Sequence, residues 1–253
     1  MVMTARHWNA ESYDRIGGPM TTMASVVLDR LPLVGTESVM DAGCGTGRVT
    51  ELLLERLPRG SVLAVDADPE MIRVARANLG DRADIRQCDL ANLPSDVQVD
   101  AVFSTATFHW ILDHDRLFGQ LFSVVRPGGC LVAQCGGRGN ISELRSVGDA
   151  IASDPPFAPY FENWSPPWYY AGPEETADRL VNAGFTDVRT WLEPWPVVPD
   201  DPSEYIATVT LGAQVQRLPE QLRSVYLTEV ISRLDAPITV GYVRLNIDAR
   251  RPE

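Results

Sequence analysis

The sequence predicts an α/β protein built on an open, mostly parallel sheet of seven strands flanked by helices, and three observations carry that expectation. Short aliphatic and β-branched runs alternate with longer segments of helical period through the first half of the chain. The first run, Ser38 to Ala42, enters a turn with glycine at alternate positions, Gly43, Gly45 and Gly47, ahead of a helix. The second run ends at Asp66, about 20 residues beyond the turn, where a nucleotide-binding α/β fold places a carboxylate against ribose hydroxyls.

The 253 residues fit one large α/β domain with a substantial core. Hydrophobic residues make up 45% and charged residues 22%, ordinary values for a globular chain. A formal net charge of -12 argues against nucleic acid and against an anionic membrane surface, both of which need clustered Lys and Arg. The N-terminal residues lack an apolar core of signal-peptide length, and no apolar run approaches the ~18 residues of a spanning helix, so a cytoplasmic protein is expected. Cys44, Cys88, Cys130 and Cys135 form no C-x-x-C pair and read as reduced packing residues. No cluster has metal-ligand spacing.

In chain order, residues 20–31 carry apolar residues at helical spacing before Pro32. In the glycine turn the absent Cβ atoms permit left-handed dihedrals and a close ligand approach, with helix-opening N–H groups from Thr46 onward directed at that ligand. The third place of a dinucleotide G-x-G-x-x-G is Arg48, not glycine, and Asp41 closes the strand before the turn; a carboxylate there suits a cationic amino group better than a pyrophosphate. Val49, Leu52, Leu53 and Leu57 form the apolar stripe of the next helix. Ser61 to Val65 is a buried strand ending at Asp66, followed by Ala67; Asp68 then reads as the N-cap of a helix opening at Pro69, whereas Asp66 has no such alternative role.

Residues 83–87 form a third strand, and Val99 to Thr105 a fourth that runs into Ala106-Thr107-Phe108-His109-Trp110. This last strand lies across the switch in strand order, so substrate chemistry is expected at its end. Residues 113–125 read as a helix, Arg126-Pro127-Gly128-Gly129 as its turn, residues 130–135 as the fifth strand, and Gly136 to Asn140 as the loop that ends it. Ten of the 19 prolines and four of the six tryptophans lie between Pro155 and Pro202, which signals loops and aromatic corners. Within this stretch residues 173–184 read as a helix and 185–191 as a strand; further helices fill 201–234, and 242–249 alternates as a final strand.

The run Asp41-Ala42-Gly43-Cys44-Gly45-Thr46-Gly47 resembles the first motif of the class I S-adenosylmethionine-dependent methyltransferases, an acid followed by x-G-x-G-x-G. Asp66-Ala67-Asp68-Pro69-Glu70-Met71-Ile72 is similar to their next motif, and the R-P-G-G and A-G-F segments to later ones. The run from Asp100 to Trp110, D-A-V-F-S-x-A-x-x-H-W, resembles the trans-aconitate methyltransferase group. The resemblance spans about Trp8 to Trp191 and implies a Rossmann-like fold, S-adenosyl-L-methionine as cofactor and a small-molecule acceptor, with no [DN]-P-P-[YFW] motif for nucleic-acid bases. It implies cofactor contacts at Asp41, Gly43, Gly45, Gly47, Asp66, Ala67, Asp89, Leu90 and Thr105, with Asp89 at the adenine amino group; alternatively Asp89 only caps its loop.

The segment from Trp8 to Asp14 resembles the family's W-[DN]-x-x-x-Y-D lid, placing Trp8 near the acceptor and Tyr13 near the reacting methyl group; the alternative is a packed amphipathic helix. His109 is the candidate base for a hydroxyl acceptor, or an orienting group for a carboxylate, or with Trp110 a packed corner; His7 and His114 read as surface residues. The aromatic stretch Phe157, Tyr160, Phe161, Trp164, Trp168, Tyr169 and Tyr170 is expected to roof the acceptor, the alternative being that half of it is simple core; Trp110 is expected beside the acceptor, and Arg138 to pair with an acceptor carboxylate or else to be a solvated loop residue. The expected organisation is a lid (1–35), a cofactor-binding core (36–138), cap insertions (139–172 and 198–236) and C-terminal core elements (173–197 and 237–253), in a monomer or homodimer. Rival readings are an NAD(P)-dependent oxidoreductase, against which Arg48 and Asp41 count, and a non-catalytic cofactor-binding protein of the same fold.

Overall fold

The computed structural model describes residues 18–253; Trp8 and Tyr13 lie outside the described residues. Seven strands make one sheet: β1 (Ser38–Ala42), β2 (Ser61–Asp66), β3 (Asp84–Gln87), β4 (Val99–Thr105), β5 (Val125–Gly136), β6 (Thr186–Val197) and β7 (Val240–Arg250). Their order across the sheet is β3-β2-β1-β4-β5-β7-β6. The first five run parallel, and β7 is antiparallel to both β5 and β6. The strand order reverses between β1 and β4, which opens a crevice at their carboxyl ends.

Helices α1 (Gly18–Leu28) and α2 (Arg48–Arg56) lie on one face of the sheet, where Val27, Leu28, Leu53 and Leu57 meet Val39, Val62, Phe103 and Val132. Helix α3 (Pro69–Leu79) starts as the sequence predicts: Pro69 occupies the first turn, and Asp68 accepts hydrogen bonds from the main-chain N–H groups of Glu70 and Met71. The other face carries α4 (His114–Val124) and α6 (Pro173–Ala183), whose Leu117, Phe118, Leu121 and Leu180 pack on Met40, Val102, Leu131 and Leu245. Helix α6 stops at Gly184, which takes the left-handed φ of +110° that a C-terminal cap requires.

Helices α5 (Ser142–Ala152), α7 (Pro202–Tyr205), α8 (Gly212–Arg217) and α9 (Glu220–Ser232) come from two separate stretches of chain yet share a hydrophobic cluster. Phe157 and Tyr226 are fully buried at its centre, with Ile151, Ile206, Leu211 and Val230. Tyr242 of β7 belongs to the same cluster, so the last strand joins this cap to the sheet.

Three sequence expectations need correction. The fifth strand begins at Val125, not at 130: Val125 pairs with Val99, and Arg126 to Gly129 bulge out before Cys130 pairs with Ala101. The sixth strand runs to Val197 through Pro194 and Pro196. Proline is accommodated because β6 is an edge strand, with one side free of ladder bonds. His114 is buried, not on the surface; its Nε2 lies 3.0 Å from the Phe108 carbonyl oxygen, its ring packs on Phe118 and Tyr169, and burial lowers its pKa.

Candidate active site

The glycine turn adopts a conformation closed to other residues. Gly43, Gly45 and Gly47 have φ of +89°, +54° and +86°. A Cβ on Gly43 would lie 2.1 Å from Thr107 Oγ1, and one on Gly47 would lie 2.7 Å from Leu79 Cδ1. A Cβ on Gly45 would meet nothing within 4 Å, so the top of the turn is bare backbone facing open space.

The turn's donors, in contrast, face inward. The N–H groups of Gly43 and Cys44 donate to the Val65 carbonyl at 2.8 and 2.9 Å, and that of Gly47 donates to the Cys44 carbonyl at 3.0 Å. Gly45 N–H donates to Asp66 Oδ2 at 2.9 Å. With these amides already bonded, the turn is no phosphate cradle of the P-loop or dinucleotide kind, which works by presenting N–H groups to an anion. Asp66 also accepts from Asp68 N–H at 2.9 Å, so it has the structural role that the sequence did not suggest: it ties the two turns together. Its carboxylate retains further lone pairs for a ligand.

Asp41 is 2% exposed and lines the cleft beside the turn. Its Oδ2 accepts a 2.6 Å hydrogen bond from Thr50 Oγ1. Burial pushes the carboxyl pKa up to about 7; the Thr50 bond opposes the rise and nearby Asp66 adds to it. A buried acid with one hydroxyl partner and no cation among the described residues is matched to a ligand that carries an ammonium group. Asp89 is exposed, and its oxygens accept from Ala91 N–H and Asn92 Nδ2, so it caps the turn at 90–92. The Leu90 side chain is in the core, and the Ala67 carbonyl accepts from Gln87 Nε2.

Met20, Thr21, Arg48, Val49, Thr105 and Ala106 complete the wall of this cleft. The space enclosed is about 60 Å³, below the ~300 Å³ at which ligand pockets begin. Bare glycine backbone, a buried acid awaiting a cation and a second acid at the end of β2 together fit S-adenosylmethionine.

A second cavity adjoins the first, and Met20 and Ala106 line both. Ala106 has φ of +56° and Ile141, also on the second cavity, +47°; two non-glycine residues in the left-handed region mark strained backbone held by its surroundings. The bend at Ala106 leads into the short turn Phe108–Trp110, which buries Phe108 in the core and sets His109 against the cavity. His109 is 6% exposed and its ring lies between those of Trp110 and Tyr170. Its Nδ1 accepts from the Gly136 N–H at 3.3 Å, so the neutral imidazole carries its proton on Nε2. Trp110 lines the cavity, and Trp168 packs behind it against Trp110 and Tyr170.

Three sequence-predicted acceptor residues face elsewhere. Tyr169 turns onto His114 and donates its hydroxyl to Glu175. Arg138 is exposed and pairs with Glu174 and Glu175 at the start of α6. Trp164 lines a separate cavity of about 310 Å³ between Asp149 and Glu162. In their place stand residues that no sequence motif marks: Asn140, Thr210, Tyr242 and the buried Arg244. Among the described residues no cluster of His, Cys, Asp or Glu could hold a metal, and no helix is long and apolar enough to cross a membrane.

Comparison with known proteins agrees with this geometry. Residues 39–129 match a family model described as a methyltransferase domain. The trans-aconitate 2-methyltransferase of Delftia acidovorans is 31% identical over 250 residues, covering 90% of each chain. That of Methylobacterium nodulans is 35% identical over 186 residues, covering 73% of this chain and 67% of its own. Among solved structures, YcgJ of Bacillus subtilis superposes with a TM-score of 0.66 at 13% identity, over 92% of this chain and 99% of that one. A Haemonchus contortus phosphoethanolamine N-methyltransferase 2 bound to S-adenosylhomocysteine gives 0.63 at 18% identity, over 96% of this chain and 57% of that longer one. With its Asp-x-Gly-x-Gly-x-Gly turn on β1 and these relatives, the chain belongs to the class I S-adenosylmethionine-dependent methyltransferases, in the group related to trans-aconitate 2-methyltransferase.

Proposed function

We propose that this enzyme methylates a carboxylate oxygen of a small acid, with the cofactor along the carboxyl ends of β1, β2 and β3 and the acid in the adjoining cavity beneath the cap. The observation that carries the reading is the junction of the two cavities at Met20 and Ala106. In this reading a ligand on the Gly45 side and a ligand on the His109 side come together where Met20 of α1 and Ala106 border both cavities.

In this reading Asp41 receives the amino group of the cofactor, the bare turn at Gly43, Gly45 and Gly47 lets it pass close to the backbone, and Asp66 accepts from its ribose. Ala67, Asp89, Leu90 and Thr105 border it further along the strand ends. When bound, S-adenosylmethionine supplies a methyl group on a sulfonium that leaves as a neutral thioether. The chain's own work is alignment and exclusion of water. Trp110 and Tyr170 wall the acceptor, Trp168 backs them, and His109 orients it through Nε2–H.

A hydroxyl acceptor is the second reading, and it needs a base. The only lone pair of neutral His109 is engaged by Gly136 N–H, which disfavours that role and favours an acceptor that is already an anion. The names of the relatives, which act on trans-aconitate, support an acid.

The test combines binding with turnover. S-Adenosylhomocysteine at a hundred times its Kd stabilises the fold by about 2.7 kcal/mol, a thermal shift on the order of 5 to 10 °C for a domain this size. Asp66→Ala is expected to abolish that shift; a full shift in the variant removes Asp66 from the cofactor site. In a panel of carboxylates, alcohols and amines, methyl esters are the expected product. Turnover confined to alcohols or amines overturns the carboxylate reading.

A further inference from the structure

Arg244 is 2% exposed, yet it belongs to no salt bridge among the described residues. Its one hydrogen bond there is long, from Nε to Gln134 Oε1 at 3.4 Å, and its guanidinium lies 5.7 Å from the Tyr242 ring centroid. Directly opposite on β6 stands Glu193, whose carboxylate accepts from Asn246 Nδ2 at 3.2 Å instead. A guanidinium removed from water without an anion is costly, and an anionic ligand in the cavity would offset that cost.

The surroundings of Arg244 point the same way. It lines the cavity shared with His109, Asn140 and Tyr170, and no Asp or Glu is among the described residues that line it, in a chain whose net charge is -12. Asn140 is also 2% exposed; its Oδ1 accepts from Val243 N–H at 3.0 Å, which leaves the Nδ2 donors for the cavity. Gly136, paired with Arg244 across β5 and β7, keeps the floor clear, since a Cβ there would sit 2.7 Å from Tyr170 Cε1 and 2.8 Å from Asn140 Nδ2.

We propose that Arg244, with Asn140 beside it, is the specificity-determining anchor for an anionic group of the methyl acceptor, so that the cavity selects a carboxylate over its uncharged amide or ester. The proposal rests on the acceptor-cavity reading above and assigns the recognition to a residue of β7, not to Arg138 of the loop. Guanidinium and carboxylate meet as a charge-assisted pair whose geometry Lys cannot reproduce.

The test uses the whole chain saturated with S-adenosylhomocysteine, titrated with trans-aconitate, citrate, succinate and acetate, and with the amides of succinate and acetate. Quenching of tryptophan fluorescence, with Trp110 in the cavity wall, reports binding. At least one carboxylate is expected to bind while the amides do not. Arg244→Met should weaken that carboxylate by tenfold or more, and Arg244→Lys should restore only part of the loss. S-Adenosylhomocysteine affinity, measured separately, should stay within twofold in both variants, which also establishes that they fold. Carboxylate binding unchanged in Arg244→Met, or amides binding as well as acids, overturns the proposal, and so does a wild-type protein that responds to no carboxylate. Turnover on uncharged acceptors alone would fell the carboxylate reading itself. Ester formation from acids that persists undiminished in Arg244→Met would fell only the anchor.

Discussion

Replacing Asp41 by asparagine separates the cost of a buried acid from its use. Asp41 is 2% exposed, and burial lifts its pKa from the ordinary 3.8 to about 7. The folded state thus holds a proton that the unfolded state releases between those two values, so stability falls as pH rises through that window and levels off above it. Each unit is worth about 1.4 kcal/mol, so a protein without cofactor should lose on the order of 3 kcal/mol between pH 5 and pH 8 through this group. At roughly 2 to 4 °C per kcal/mol, that is a fall in Tm of roughly 6 to 12 °C. The asparagine side chain keeps an oxygen to accept the 2.6 Å bond from Thr50 and has no proton to lose. Asp66, whose pKa burial also raises, is present in both proteins and largely cancels in their difference. Thermal melts of both proteins from pH 5 to 8 should therefore show the Asp41→Asn variant the more stable at pH 8, with the gap closing toward pH 5. Adding S-adenosylhomocysteine at pH 8 should reverse the ranking, because only the carboxylate can meet an ammonium group. Parallel pH profiles, or a variant less stable than wild type at pH 8 without ligand, would refute the reasoning.

Two further outcomes follow from the geometry. Gly45→Ala places a methyl group in open space at a φ of +54°, so the variant should fold with a loss of about 1 kcal/mol yet bind S-adenosylhomocysteine at least tenfold more weakly; isothermal titration beside a thermal melt checks both, and unaltered affinity would mean that no ligand passes over the turn. His109→Ala should lower kcat less than tenfold and raise the acceptor KM, since Nδ1 is engaged by Gly136 N–H and the carboxylate reading asks the ring only to donate; a loss of ~10² or more in kcat, with a wild-type rate rising through the imidazole range, would restore it as a base.

The parallel half of the sheet was legible because buried strands there are continuous apolar runs and their turns use proline, glycine and N-cap acids at fixed offsets. Asp68 capping α3 and Gly184 ending α6 follow directly from such offsets. The C-terminal half was less legible for a physical reason. In β7 the residues Val243, Leu245, Ile247 and Ala249 alternate with Arg244, Asn246 and Asp248, a pattern that reads as one buried and one wet face. The polar face is in fact covered: Arg30, just beyond α1, reaches Asn246 Oδ1 and the Ala133 carbonyl, and ion-pairs with Asp248 at 3.4 Å. Alternation reports which face is apolar, and nothing in it distinguishes solvent from a covering arginine. Arg244 is hidden for that reason, while Arg138 stands out because it sits at the substrate end of the fifth strand, where an acceptor carboxylate is expected. His114 was misjudged similarly, since its neighbours Asp113 and Asp115 are polar while the imidazole itself turns inward onto Phe108 and Tyr169.

The two margins of the sheet bear on how this molecule meets others of its kind. An open sheet ends in rows of unpaired backbone groups that invite a foreign strand. Here β3 is only four residues long, with Asp84 and Arg86 locked to each other on its exposed surface. At the far margin β6 is twelve residues long but carries Pro194 and Pro196, which have no N–H to offer. The short, ion-paired β3 and the prolines of β6 each make their margin a poorer template for strand addition, which turns contacts between copies toward the helical and cap surfaces.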